Sequence, residues 1–124
     1  MYICIYTVKL TPNKLLKLLS DPTRLRSVML LLDEGEVCVC ELTHALNEIQ
    51  PKVSRHLASL RDGRIVTDRR AGQWIYYSLD PKLPAWAMGI LHSSRIGMES
   101  DAAYKAVLQK LANMPNRPGN RACA

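Results

Sequence analysis

The chain is 124 residues long, enough for one domain with a modest core. Apolar residues make up 48% and charged residues 23%, an ordinary balance for a soluble globular protein, and no apolar run reaches bilayer-spanning length, so a membrane role is not expected. A formal net charge of +6 favours a polyanionic partner, although a basic surface kept for solubility carries the same charge.

In chain order, residues 1–10 alternate loosely around Tyr2, Tyr6 and Val8 and read as an N-terminal arm or a short strand. After Thr11-Pro12 a short leucine-rich helix is predicted over 13–19. Ser20-Asp21-Pro22 then supplies a cap residue followed by proline at an early helical position. Leu25, Val28, Met29 and Leu32 form one apolar stripe on that second helix, which Asp33-Glu34-Gly35 ends. A third helix is predicted from about Cys38 and a fourth from about Pro51, with the short turn 47–50 between them. Two helices joined so tightly make a helix-turn-helix.

Asp62-Gly63 breaks the fourth helix. Residues 65–70 and 73–79 are β-prone runs joined by Ala71-Gly72, which reads as a hairpin, the wing. Leu83, Trp86, Ala87, Ile90 and Leu91 mark a further helix ending near Gly97. Ser100 is placed to cap a last helix carrying Tyr104, Val107, Leu108 and Leu111. The organisation expected is an arm or strand at 1–10, one DNA-binding and dimerisation domain over 11–114, and a flexible tail over 115–124. The fold class is α+β, mostly α, a winged helix-turn-helix with a two-stranded β-wing.

On the fourth helix Val53, Leu57 and Leu60 cluster on one side, and Lys52, Arg55 and Ser59 point the other way. A recognition helix needs this division, with an apolar anchor behind and donors toward base edges and phosphates. Gln50 and Ser54 are helpers near the helix start. His56 lies about 60° from the centre of the buried face; it is a secondary candidate, since a histidine so placed is more often a partly buried, hydrogen-bonded one. A polar helix face alone is weak evidence. The wing strengthens it, because Arg64, Arg69, Arg70 and Gln73 surround a tight hairpin suited to phosphate or minor-groove contact. Trp74 and Tyr76 fall on one face of the ribbon and Tyr77 on the other, so they cannot all face DNA.

Four segments recur in order: Ser20-Asp21-Pro22-Thr23-Arg24; Cys38-Val39-Cys40-Glu41-Leu42; Pro51-Lys52-Val53-Ser54-Arg55-His56-Leu57; and Arg69-Arg70-Ala71-Gly72-Gln73-Trp74-Ile75-Tyr76-Tyr77. Together they resemble the ArsR/SmtB family of metal- and metalloid-responsive repressors, in its arsenical branch, over residues 13–95. The resemblance implies a winged-helix homodimer on double-stranded operator DNA with an inverted repeat, released when an inducer binds. DNA binding itself needs no cofactor on this reading.

The four cysteines, Cys4, Cys38, Cys40 and Cys123, do not suit a secreted disulfide framework, and MYICIYTVKL lacks the features of a signal peptide. A cytoplasmic location with reduced thiols is expected. Within one uninterrupted helix Cys38 and Cys40 would point about 200° apart. If Cys38 is instead the cap, with Glu41 completing a capping box, both sulfurs can reach one ion. The helix N-terminus should also favour thiolate. Thiolates select soft or borderline species, As(III) or Sb(III) and, alternatively, Cd, Pb or Zn. Taken without their neighbours, the two cysteines read as small apolar residues packed at a helix start.

Relatives of the arsenical branch often carry a third cysteine where this chain has Thr43. Cys4 on the arm is the better third donor, Cys123 the lesser one, and two sulfurs plus solvent a further option. His92 has no histidine or carboxylate three residues later, so the family's interhelical zinc site is not expected. A redox switch at Cys38 and Cys40 is another alternative, weakened by the strain of a disulfide across one residue. No nucleophile–base set or anion-binding loop points to an enzyme. Leu15, Leu18, Trp86, Ile90 and Leu91 are the candidate dimer contacts, although such stripes more often belong to the monomer core.

Overall fold

The computed structural model describes residues 9–117. Helix α1 (Pro12–Leu19) starts where the Thr11 hydroxyl accepts the Lys14 N–H. Helix α2 (Pro22–Glu34) starts on Asp21, whose carboxylate accepts the Arg24 N–H at 3.0 Å. In both, proline occupies a first-turn position whose N–H would have no helical partner. Gly35 ends α2 at φ +88°, which a side chain would resist.

Strand β1 (Glu36–Cys38) leads directly into α3 (Val39–Leu46), and α4 (Gln50–Asp62) follows after the turn. Asn47 makes that turn in the left-handed region at φ 56°, a conformation its short polar side chain tolerates. Strands β2 (Val66–Ala71) and β3 (Trp74–Leu79) form the wing hairpin. Helix α5 (Ala85–Gly97), a 3-10 turn (Met98–Ser100) and α6 (Ala102–Ala112) complete the chain.

Three local expectations change. The wing belongs to a three-stranded antiparallel sheet, ordered β1-β3-β2, because Glu36, Val37 and Cys38 pair with Ser78, Tyr77 and Tyr76. A three-residue strand is too short to show a period, so only its partner reveals it. The hairpin turns at Gly72-Gln73, with Ala71 still paired to Trp74. Asp101, rather than Ser100, caps the last helix, accepting from Ala103 and Tyr104 N–H, while Ser100 closes the 3-10 turn.

The core forms as the periodicity requires. Val53, Leu57 and Leu60 on α4 have no exposed surface and pack with Leu30, Leu42 and Ile65. Each such side chain stabilises the fold by about 2 kcal/mol, so α4 is held firmly from behind. Tyr77 faces inward and is buried, whereas Trp74 and Tyr76, on the other face of the ribbon, stay partly exposed. Asp33, near the end of α2, accepts from Tyr104 Oη at 2.7 Å and from Arg95 Nε at 2.8 Å. That carboxylate ties α5 and α6 to α2.

Candidate thiol site and nucleic-acid interface

Cys38 is the N-cap of α3, with extended backbone (φ −77°, ψ 152°), and Cys40 lies in the first helical turn. The break in helical geometry between them brings their sulfurs to 3.2 Å. Glu41 Oε1 accepts the Cys38 N–H at 2.8 Å, the carboxylate half of a capping box. Cys38 is also the last residue of β1, paired with Tyr76. Sheet and helix therefore fix this sulfur from both sides.

One expectation is corrected here. Burial, then the hydrogen bond to Cys38 and the charges of Cys38 and Glu41, push the Cys40 thiol up to about 12, against a smaller opposite effect of the Glu41 backbone N–H. The helix N-terminus does not prime this sulfur as thiolate, because desolvation and neighbouring negative charge outweigh it.

Glu41 is fully buried, and its second oxygen accepts Arg117 Nε at 2.6 Å; Arg117 Nη2 also reaches Glu34 Oε1 at 3.2 Å. Within the segment 115–124 expected as a tail, Arg117 thus packs back onto the start of α3, while residues 118–124 lie outside the described residues. Sequence reasoning found Glu41 through its capping-box spacing. Arg117, 76 positions away, left no local signal.

Both cysteines open onto a cavity of about 450 Å³ bounded by the start of α3, one side of α4 and the wing. Gln50, Ser54 and Gln73, three of the candidate DNA contacts, line the same cavity. Thr43 lines it too, its hydroxyl bonded to the Cys40 carbonyl at 2.9 Å.

The candidate DNA contacts divide by what holds them. The Arg55 and Arg70 side chains are exposed and have no hydrogen-bond or ion-pair partner among the described residues. Lys52 pairs with Glu48 at 3.0 Å, and the Ser59 hydroxyl bonds back to the Arg55 carbonyl. Arg69 is engaged by Glu36 through two hydrogen bonds of 2.6 and 2.8 Å and lies over the Tyr76 ring. His56 is held between the Asp21 cap and the first turn of α2: Arg24 Nη1 stands 3.2 Å from Nδ1, and Asp21 Oδ2 is 3.7 Å from Nε2. Arginine can only donate, so Nδ1 accepts and the neutral ring carries its proton on Nε2, toward Asp21. That environment matches the partly buried, hydrogen-bonded histidine weighed against the base reader.

Leu15 and Leu91 have no exposed surface and belong to the protomer's own core, while Leu18 and Ile90 are half-buried against it. On the same helices the exposed large apolar side chains are Leu16 (53% exposed), Trp86 (40%) and Ile96 (67%). Cys4 and Cys123 lie outside the described residues, as do residues 1–8 of the arm or strand expected over 1–10. Among the described residues no group of three or more His, Cys, Asp or Glu side chains is placed to hold a metal ion. No helix among them is long and apolar enough to cross a membrane.

Residues 21–68 match the family model described as bacterial regulatory protein, arsR family. The arsenic resistance transcriptional regulator ArsR1 of Pseudomonas putida is 47% identical over 120 residues, covering 93% of this chain and 89% of that one. The arsenical resistance operon repressor of Escherichia coli is 51% identical over 82 residues, 66% of this chain and 70% of its own. Among solved structures, the AntR antimony-specific transcriptional repressor superposes with a TM-score of 0.59 at 27% identity, covering 76% of this chain and 87% of that one.

Proposed function

This chain belongs to the arsR family of bacterial regulatory proteins, DNA-binding transcription regulators rather than enzymes, and on that premise we propose that it is a repressor induced by As(III) or Sb(III) at Cys38 and Cys40. It holds an inverted-repeat operator as a homodimer and lets go when the thiols take the metalloid. The observation that carries this reading is the 3.2 Å approach of two sulfurs at the first turn of the helix that leads into the recognition helix. Two thiols so close, on a backbone already bent to allow it, suit one soft thiophilic centre. The names of the relatives point to arsenic and antimony.

Release follows from the shared elements. Metalloid ligation pulls on the cap of α3, and the tight turn after α3 sets the position of α4. The same cavity contains Gln50, Ser54 and Gln73, so a bound centre also crowds groups aimed at the operator. A third sulfur from Cys4, or less favourably Cys123, completes a trithiolate site on this reading; Thr43 offers only a hydroxyl.

The test is fluorescence anisotropy of operator DNA at fixed salt with the reduced protein, titrated with arsenite, Sb(III), Cd(II), Pb(II) and Zn(II). Release by arsenite or Sb(III) in the wild type and none in Cys38→Ser is the expected result. Retention of DNA with both metalloids, or release by Cd(II), Pb(II) or Zn(II) alone, would sink the metalloid reading. A Cys4→Ser variant reports on the third donor.

A further inference from the structure

We propose that Glu36 and Tyr76 are positioning residues through which ligation at Cys38 also displaces the wing, so that DNA release works through β1 as well as through α3. This rests on the inducer reading above and concerns how the same site is coupled to DNA. The geometry is one rung of the sheet. Cys38 on β1 and Arg69 on β2 are both in register with Tyr76 on the central strand β3. Residues directly opposite one another across a sheet project from the same face. Thiol, phenol ring and guanidinium therefore follow one another in that order, from the buried Cys38 to the exposed Arg69.

The rung is closed at its wing end. The Arg69 guanidinium lies over the Tyr76 ring, 4.7 Å from its centroid, in cation–π contact. Glu36, two residues before Cys38 and on the same face of β1, accepts from Arg69 Nε at 2.6 Å and from Nη2 at 2.8 Å. One short strand thus carries the thiol at one end and the anchor of a wing arginine at the other. Arg70, next in β2, alternates to the opposite face and has no partner among the described residues, which leaves its donors for DNA.

Strand β1 is at the edge of the sheet, pairs only with β3, and its last residue is also the cap of α3. At each sulfur that takes arsenite one S–H and one As–OH bond break, one As–S bond forms and one water leaves. Drawing Cys38 toward a centre shared with Cys40 moves the end of β1. Glu36 and Tyr76 are the contacts that hand this displacement to Arg69 and so to the base of the wing. Recognition helix and wing are then moved by one event, through two elements that both begin or end at Cys38.

The quantity to measure is a coupling ratio, the Kd for operator DNA with saturating arsenite over the Kd without it, at fixed salt on the full chain. Removing an acid beside DNA changes affinity by itself, but an effect equal in both states cancels in the ratio, as does a merely structural one. Glu36→Ala, which frees Arg69, and Tyr76→Leu, which removes the ring, should each lower the ratio about fivefold. Tyr76→Phe keeps the ring and should stay within about twofold of wild type. A titration of each free variant with arsenite establishes saturation, and circular dichroism its fold. A ratio that neither Glu36→Ala nor Tyr76→Leu moves, or that Tyr76→Phe lowers as far as Tyr76→Leu, overturns the inference while leaving the inducer site intact. A wild-type ratio of one with both arsenite and Sb(III) would instead remove the inducer reading itself, and this inference with it.

Discussion

Arg117 and Glu41 form an ion pair at 2.6 Å in which the carboxylate has no exposed surface and its other oxygen caps Cys38. A residue beyond the last helix therefore acts on Cys38 through one buried side chain. Removing one partner of such a pair strands a buried charge, at a cost of about 3 to 5 kcal/mol. Arg117→Met should show a loss of that order in urea denaturation. Glu41→Gln should cost less, because glutamine keeps a carbonyl for the Cys38 N–H and leaves Arg117 beside Glu34. The double variant should resemble Glu41→Gln alone; full additivity of the two losses would show that the pair is not coupled.

The wing and recognition helix carry arginines in different states. Arg55 and Arg70 are exposed without partners among the described residues, while Arg69 is occupied by Glu36. Each lost phosphate contact lowers the slope of log affinity against log salt by about 1. Arg55→Ala and Arg70→Ala should each lower it by about that amount, and Arg69→Ala by clearly less. Equal effects from all three would mean that Arg69 leaves Glu36 on binding.

Acid should loosen the base of the wing. Hydrogen bonds from Arg69 hold the Glu36 carboxyl below its ordinary 4.5, outweighing the opposite effect of burial. A depressed carboxyl contributes stability above its unfolded value, and that contribution fades as pH falls through the folded value. Glu36→Gln should thus be less stable than wild type at pH 6, and the gap should close below pH 4.5. Chemical denaturation at stepped pH measures it, and a gap that stays constant as pH falls from 6 through the carboxylate range would contradict the linkage.

Dimerisation should depend on side chains still exposed in the single chain. Leu16 on α1 and Ile96 on α5 have surface to contribute, whereas Leu15 and Leu91 have none. Leu16→Glu and Ile96→Glu should shift sedimentation toward a 14.0 kDa species without loss of helix content. Leu15→Ala and Leu91→Ala should instead unfold the protomer more easily, with each cavity costing about 2 to 5 kcal/mol. Dimers that survive both glutamates would place the interface elsewhere.

By itself the sequence determined the winged helix-turn-helix, the buried side of the recognition helix, the proline-started helices and Cys38 as a cap with Glu41 three positions on. Those features are local: a 3.6-residue period, a cap and a turn are each complete within a dozen neighbouring residues. Tertiary structure alone decided the rest. The pairing of β1 with β3, the engagement of Arg69 by Glu36 across 33 positions and of Glu41 by Arg117 across 76 leave no periodic trace along the chain. The state of Cys40 belongs to the same class. A helix start favours thiolate, but burial beside Cys38 and Glu41 reverses that preference, and desolvation is set by everything packed around the sulfur rather than by its place in the helix.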